Sequence, residues 1–399
     1  MNEWKEGTLD EVLNVVMGQS PKGDTCNSEG IGLPLLNGPT EFGIKFPTPV
    51  QFTTDAKRVS EVGDLLFCVR GSTTGRMNWA DQPYAIGRGI AAIQHKEGKE
   101  FSAFGRALID YNLPLLLSSS TGSTFPNVSR SQLEKLEILI PPIEEQHAIA
   151  SVLSSLDDKI DLLHRQNQTL EQMAETLFRQ WFLPAGKAGV EEADEGWEVA
   201  TLYDAIELVG GGTPKTSIEE YWNGDIKWLS GGDIASNHKS IITNSEKAIT
   251  EEGLNNSSAK LLPKFSTVIS ARGTVGKYCI LSEPMAYSQS NYGIKPKYQD
   301  CYFFTYLLIN HSVEELNSAA YGSVFDTITT NTFKGLEIAI PSEKEIQAFE
   351  AKVEDCFLKI LNNQTQIRTL TALRDTLLPK LMSGEVRVEM DARAKMEEA

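Results

Sequence analysis

The chain has 399 residues, 41% of them hydrophobic and 23% charged, a globular composition with material for two or three domains. It carries 37 Lys+Arg against 54 Asp+Glu, a net charge of −17, which argues at first against nucleic acid, because phosphate binding wants a basic footprint. No run approaches the ~18 apolar residues of a membrane span, and "MNEWKEGTLDEV" has neither the basic region nor the apolar stretch of a signal peptide.

The first block, residues 1–142, is only mildly acidic, with 13 Lys+Arg against 16 Asp+Glu. It reads as β-rich: "DLLFCVRG" is a short apolar run ending in Arg-Gly, and "LEILIP" is a strand-like run ended by proline. Gly, Asn, Ser and Thr between such runs indicate loops long enough to carry recognition residues.

A helix is predicted over 143–183. Proline suits its start, and Glu144 and Glu145 favour the positive end of its dipole. Its apolar positions step by four and three through Ile149, Leu153, Leu156, Ile160, Leu163, Asn167, Leu170 and Leu177, the period of a coiled-coil seam. Residues 143–196 hold 4 Lys+Arg against 11 Asp+Glu, the largest local excess of negative charge. "PAGKAGVEEADEG", residues 184–196, reads as a linker.

A second block, 197–341, repeats the first. "STVISARG" and "LEIAIP" match its strand-like runs, and "WEVATLYDAIELVGGGTPK" faces "WKEGTLDEVLNVVMGQSPK". "ARGTVGK" faces "VRGSTTGR", and "AYSQSNYGI" faces "AIGRGIAAI". Between Thr121–Pro141 and Tyr321–Pro341, 8 of 21 positions are identical, so the chain is a duplication rather than a solenoid. A second helix is predicted over 342–382, with a seam through Phe349, Val353, Ile360, Asn363, Ile367, Leu370 and Leu377. Forty residues make a helix of ~60 Å. Residues 383–399 are expected to be a frayed, charged tail. If the helices run antiparallel about a centre near residues 165 and 365, Asn167 meets Asn363, and a buried pair of this kind fixes register. The other possibility is that each asparagine lies at a wet edge of the seam.

No catalytic constellation is visible. "GTVGK" from Gly273 lacks a phosphate loop's glycine at Ala271 and its Ser or Thr at Tyr278, and no GxSxG occurs. The five histidines are scattered without metal-ligand spacing, and the five cysteines (Cys26, Cys68, Cys279, Cys301, Cys356) form no CxxC. No metal site, no disulfides and a cytoplasmic location are expected.

At "PPIEEQHAIASVLSSLDDKIDLL", "SARGTVGK" and "DTLLPKLMSGEVRV" the chain resembles the specificity subunit of a Type I restriction–modification enzyme. The second copy departs from the pattern, with "PSEKEIQ" where the first has "PPIEEQ". The resemblance implies an α+β fold with two β-rich target-recognition domains, pseudo-twofold related and separated by a long antiparallel two-helix coiled coil. It implies double-stranded DNA as ligand, each domain reading half of a bipartite, asymmetric site, with the helices setting the gap. It further implies two methyltransferase (modification) subunits and two restriction subunits as partners. These carry the activities, with S-adenosylmethionine, ATP and Mg as their cofactors; this chain would have none and would not be an enzyme.

On that reading the candidate DNA-binding residues are the Arg-Gly turns: Arg70, Ser72, Thr73, Thr74 and Arg76 in one copy, Arg272, Thr274 and Lys277 in the other. Arg88, Ser123 and Ser323 are further candidates, and Lys22 and Lys215 would touch phosphate. Arg can pair with guanine and Ser or Thr with phosphate or base. The alternative for these turns is structural, with Arg capping a strand or pairing with a carboxylate. Two other functions remain open at this point. One is a coiled-coil protein–protein scaffold with two ligand-binding domains. The other is a methyltransferase in its own right, although no (Asp/Asn)-Pro-Pro-(Tyr/Phe) motif is present.

Overall fold

The computed structural model describes residues 4–118, 126–183, 197–321 and 327–388. The chain divides into two compact units, Met1–Asp161 with Thr369–Ala399, and Leu162–Arg368.

In the first unit, strand Lys5–Thr8 pairs antiparallel with Glu137–Ile140. An antiparallel sheet follows in the order Leu13–Met17, Ile90–His95, Leu65–Cys68, Met77–Trp79. A second, mixed sheet runs Cys26–Asn27, Gln51–Thr53, Leu33–Leu36, Tyr84–Ile86, Val59–Ser60. Strand Leu65–Cys68 shows why its sequence is an unbroken apolar run. Leu65 and Phe67 enter a core with Phe104 and Leu108 of helix Ser102–Ser118. Leu66 and Cys68 enter another with Leu36, Tyr84 and Ile86. A strand covered on both faces has no polar side to alternate with.

The second unit repeats this plan. Glu198–Thr201 pairs with Glu337–Ile340. The inner sheet runs Ile206–Gly210, Asn291–Pro296, Thr267–Ser270, Tyr278–Leu281, Ile241–Ile242. The outer one runs Lys247–Ile249, Trp222–Leu229, Met285–Tyr287, Leu261–Leu262. Val268 faces one core and Ile269 the other.

Each unit also holds a helix absent from the β-rich reading of its block: Ser102–Ser118 and Tyr302–Tyr321. The second is apolar on nearly all sides, burying Phe303, Phe304, Tyr306, Leu307 and Ile309. It lies between the sheet and the long helices, so the one-sided stripe that advertises a surface helix is missing. Glu350 caps its start, accepting from the backbone N–H groups of Phe303 (2.9 Å) and Phe304 (2.7 Å).

The long helices span Ile143–Phe182 and Glu343–Met382. In the first unit, Ile149 and Leu153 pack with Leu377, Leu381 and Met382. Arg374 Nη1 donates to Asp157 at 2.9 Å and Arg387 reaches Glu145 at 2.7 Å, so numbers rise on one segment as they fall on the other. In the second unit, Asn363 Nδ2 donates to Asn167 Oδ1 at 2.8 Å, and the rings of Phe178 and Phe349 lie 5.8 Å apart. The segments are antiparallel in both units. Ile149, Leu153, Leu163, Asn167, Phe349, Val353, Ile360, Asn363 and Ile367 are buried, while Leu156, Ile160, Leu170, Leu177, Leu370 and Leu377 are half-buried.

The seam misses three buried aromatics, Phe178, Phe182 and Phe357. The helix Tyr302–Tyr321 widens the apolar face here: Phe357 stacks on Phe303 with centroids 4.4 Å apart, and Phe178 and Phe182 pack on Phe304.

The start of the tail does not fray, contrary to expectation. Gly384 (φ 73°) ends the helix in a left-handed cap, with Val386 N–H donating to the Lys380 carbonyl at 3.0 Å. Arg387 then lies over the Trp4 ring, 5.6 Å from its centroid, while Trp4 Nε1 donates to Glu145 at 3.0 Å. The motif "PPIEEQ" is thereby explained: Glu145 holds Trp4 and Arg387, and buried Gln146 pairs with His95 (3.0 Å) and the Pro141 carbonyl (2.8 Å). In the departing second copy, Ser342 N-caps the helix by exchanging bonds with Glu345, and Ile346 replaces the glutamine as a fully buried apolar contact.

Candidate nucleic-acid interface

In each unit, loops gather at one end of the inner sheet. The first Arg-Gly turn leaves strand Leu65–Cys68 and is held by its own backbone. Gly75 N–H donates to the Cys68 carbonyl (2.9 Å), Arg76 N–H to Thr73 (3.1 Å), and Cys68 N–H to Arg76 (2.9 Å). The second is one residue shorter and bonded alike: Gly276 N–H to Ser270 (2.9 Å), Lys277 N–H to Thr274 (3.1 Å), Ser270 N–H to Lys277 (2.7 Å). Gly75 (φ 96°) and Gly276 (φ 76°) supply the left-handed residue, and a Cβ at Gly276 would lie 2.0 Å from Asn317 of the buried helix.

Loops on either side complete the cluster. Gly18 N–H and Gln19 N–H donate to Ile90 (2.9 Å) and Ile86 (2.8 Å), and Arg88 N–H to Ser20 Oγ (3.3 Å), which sets the Ser20–Lys22 loop beside Arg88. In the second unit Gly211 N–H reaches the Asn291 carbonyl (3.3 Å) and Gly212 N–H that of Tyr287 (3.0 Å), ahead of Lys215. His238 stands behind Lys277; burial, then the Lys277 charge, lower its pKa, so its neutral Nδ1 accepts from Tyr278 N–H at 3.3 Å.

Arg70, Ser72, Arg76, Arg88 and Lys22 are exposed, as are Arg272, Lys277 and Lys215. The threonines have work inside the turns. Thr74 Oγ1 donates to the carbonyls of Gly71 (2.8 Å) and Pro126 (2.9 Å), and Thr274 Oγ1 to Ser270 Oγ (2.9 Å) and Gly231 (3.2 Å). Thr73 is half-buried, 3.8 Å from Cys68 Sγ. Ser123 and Ser323 lie outside the described residues. Among the described residues no carboxylate pairs with Arg70 or Arg272, and Arg76 Nη1 makes a long 3.4 Å bond to the Pro39 carbonyl.

One exposed residue was missed. The ladder Ile90↔Cys68, continued by Val69 N–H to Gly89 (2.9 Å), sets Arg88 across from Arg70. The ladder Ser270↔Asn291, continued by Ala271 N–H to Ser290 (2.9 Å), sets Gln289 across from Arg272. The signal was the alignment of "AIGRGIAAI" with "AYSQSNYGI", in which Gln289 faces Arg88. Each cluster thus offers planar or charged hydrogen-bond donors on a rigid sheet end, a chemistry suited to phosphates and base edges. Among the described residues no group of three or more His, Cys, Asp or Glu could hold a metal ion, and no helix is long and apolar enough to cross a membrane.

Residues 1–172 and 194–372 each match the family described as Type I restriction modification DNA specificity domain. The chain belongs to this family. It is 26% identical over 474 aligned positions to the Type I restriction enzyme HindI specificity subunit of Haemophilus influenzae, covering 97% of this chain and 100% of that one. It is 28% identical over 351 positions to the MjaIX specificity subunit of Methanocaldococcus jannaschii, covering 83% and 79%. The fold is similar to that of the crystal structure of a Type I restriction–modification S subunit from M. genitalium, with a TM-score of 0.62 at 16% identity over 95% of this chain and 96% of that one. The family match repeats where the sequence repeats, once per recognition block.

Proposed function

We propose that this specificity subunit recognises a bipartite, asymmetric DNA site, each unit presenting its sheet-end loops to one half-site. The observation that carries the reading is the duplicated cluster of exposed donors, Arg70, Arg76 and Arg88 in one unit and Arg272, Lys277 and Gln289 in the other, on a family match that covers both copies. Lys22 and Lys215 take phosphates beside them. The gap between half-sites follows from the long helices.

The chain itself carries no reaction step. Two methyltransferase subunits transfer the methyl group of S-adenosylmethionine to adenine N6, and two restriction subunits supply ATP- and Mg-dependent cleavage, all in the cytoplasm. The acidic balance fits this division. A subunit with 54 acidic against 37 basic residues leaves much phosphate neutralisation to its partners. The scaffold alternative is not favoured by the family membership.

The test is to co-express the chain with its modification subunit, purify the complex, and map methylated adenines in the host genome. A discontinuous motif and a two-to-one complex are expected. Tight, sequence-selective binding by the lone chain at physiological salt, or methylation without a bipartite motif, refutes the reading.

A further inference from the structure

The two sheet ends keep the same residue chemistry at some positions and differ at another. Arg70 and Arg272 occupy the same step, second after the inner strand and directly across the ladder from Arg88 and Gln289. Arg76 and Lys277 also match, each closing the turn through a carbonyl that accepts from the strand. Positive charge is kept at both steps while the identity at the second changes. The opposite position is different: Arg88 in one unit, Gln289 in the other, both exposed. Among the described residues neither side chain has a hydrogen-bond partner or ion pair.

Two units that read unlike half-sites share one requirement, the phosphate backbone, and differ in another, the bases. Contacts to phosphate position a protein and carry no sequence information; contacts to base edges specify. Charge held constant between copies is what phosphate needs, and a change from guanidinium to carboxamide is what a change of base needs. In the major groove Arg pairs bidentately with guanine O6 and N7, and Gln with adenine N6 and N7.

We infer that Arg88 and Gln289 are the specificity-determining pair, Arg88 selecting guanine in one half-site and Gln289 adenine in the other, while Arg70, Arg272, Arg76 and Lys277 hold phosphates. This rests on the DNA-recognition reading above.

The experiment uses the chain co-expressed with its modification subunits, in a host without other adenine methylation, with methylated sites mapped genome-wide. For the parent, a discontinuous motif establishes the recognition reading; its absence overturns that reading, whatever the variants do. Given the motif, Arg88→Gln is expected to change one base of one half-site from guanine to adenine and leave the other half-site unchanged. Gln289→Arg is expected to change adenine to guanine in the other half alone. The preference at that base pair shifts by on the order of 10- to 100-fold, the range expected for one bidentate contact. Arg88→Ala and Gln289→Ala relax the same positions to any base, a readout that survives if a swap variant fails to fold. Arg272→Ala lowers methylation at all sites alike with no change of motif. Unchanged motifs in the Arg88 and Gln289 variants, or loss of methylation at every site in Arg88 or Gln289 variants that melt like the parent, overturn the inference, as does a changed motif in Arg272→Ala.

Discussion

The asparagine pair allows a sharp test of what the seam is for. Asn167 and Asn363 are 4% and 0% exposed and share one bond, Asn363 Nδ2 to Asn167 Oδ1 at 2.8 Å. The other half of each amide, Asn167 Nδ2 and Asn363 Oδ1, is buried without a partner. The duplication itself suggests replacements: Ile367 stands where Asn167 does, and Leu163 where Asn363 does. In Asn363→Leu, a buried leucine contributes about 1.5–3 kcal/mol, but Asn167 is left wholly unpaired at a cost of about 1–3 kcal/mol. The single variants should therefore stay near the parent. The double variant Asn167→Ile/Asn363→Leu loses one bond worth about 1 kcal/mol, removes both orphaned groups and adds two apolar side chains. A net stabilisation of at least about 2 kcal/mol follows, a rise of ~4–8 °C for a unit of this size. Thermal unfolding followed by circular dichroism on parent, singles and double gives the cycle, with the double exceeding the sum of the singles by about 1–5 kcal/mol. A double variant that melts at or below the singles would refute the argument. The pair would then be a net stabilising contact rather than a register device kept at a cost.

Burial, then the neighbouring Glu175 carboxylate, push the Glu171 carboxyl up to about 7, with Lys239 opposing. The folded state thus favours the proton, and this contribution is present below pH ~4.5 and lost as pH rises through about 7. Partial exposure limits it to about 1–2 kcal/mol. Glu171→Gln should match the parent in urea unfolding at pH 4.5 and exceed it at pH 8; the reverse order refutes the assignment. A Cβ at Gly18 would lie 2.1 Å from the Gly87 carbonyl and 2.6 Å from that of Ile90, so Gly18→Ala should cost about 2–3 kcal/mol in thermal unfolding; a neutral result would mean that the loop is not held there. Lys277→Ala should weaken DNA binding by the complex equally for all sequences and reduce the slope of log K against log salt by about 0.9. An altered base preference in that variant would instead make Lys277 a reader.

The sequence disclosed the parts of the fold whose environment is one-sided. The seam through Leu163, Asn167, Ile360 and Asn363 keeps its period because each helix segment there buries a single stripe. The helix Tyr302–Tyr321 was illegible because it is covered by the sheet on one side and by Phe349 and Phe357 on the other. Phe178 and Phe357 were missed for the same reason. At the sheet ends, exposed Arg70 and Arg272 were visible as matched turns. That the Thr74 and Thr274 hydroxyls are consumed within those turns was not visible, because their acceptors, Pro126 and Gly231, lie far away in sequence.

The second unit is one continuous stretch of chain, Leu162–Arg368, but the first is not. The first is completed by Thr369–Ala399, roughly 200 residues after Asp161, and it is Leu377, Leu381 and Met382 from there that cover Ile149 and Leu153. On a ribosome adding about 5–20 residues per second, that apolar strip stays bare for ~10–40 s before its cover emerges. For that interval the nascent polypeptide carries a bare apolar edge, open to off-pathway association until the last segment arrives.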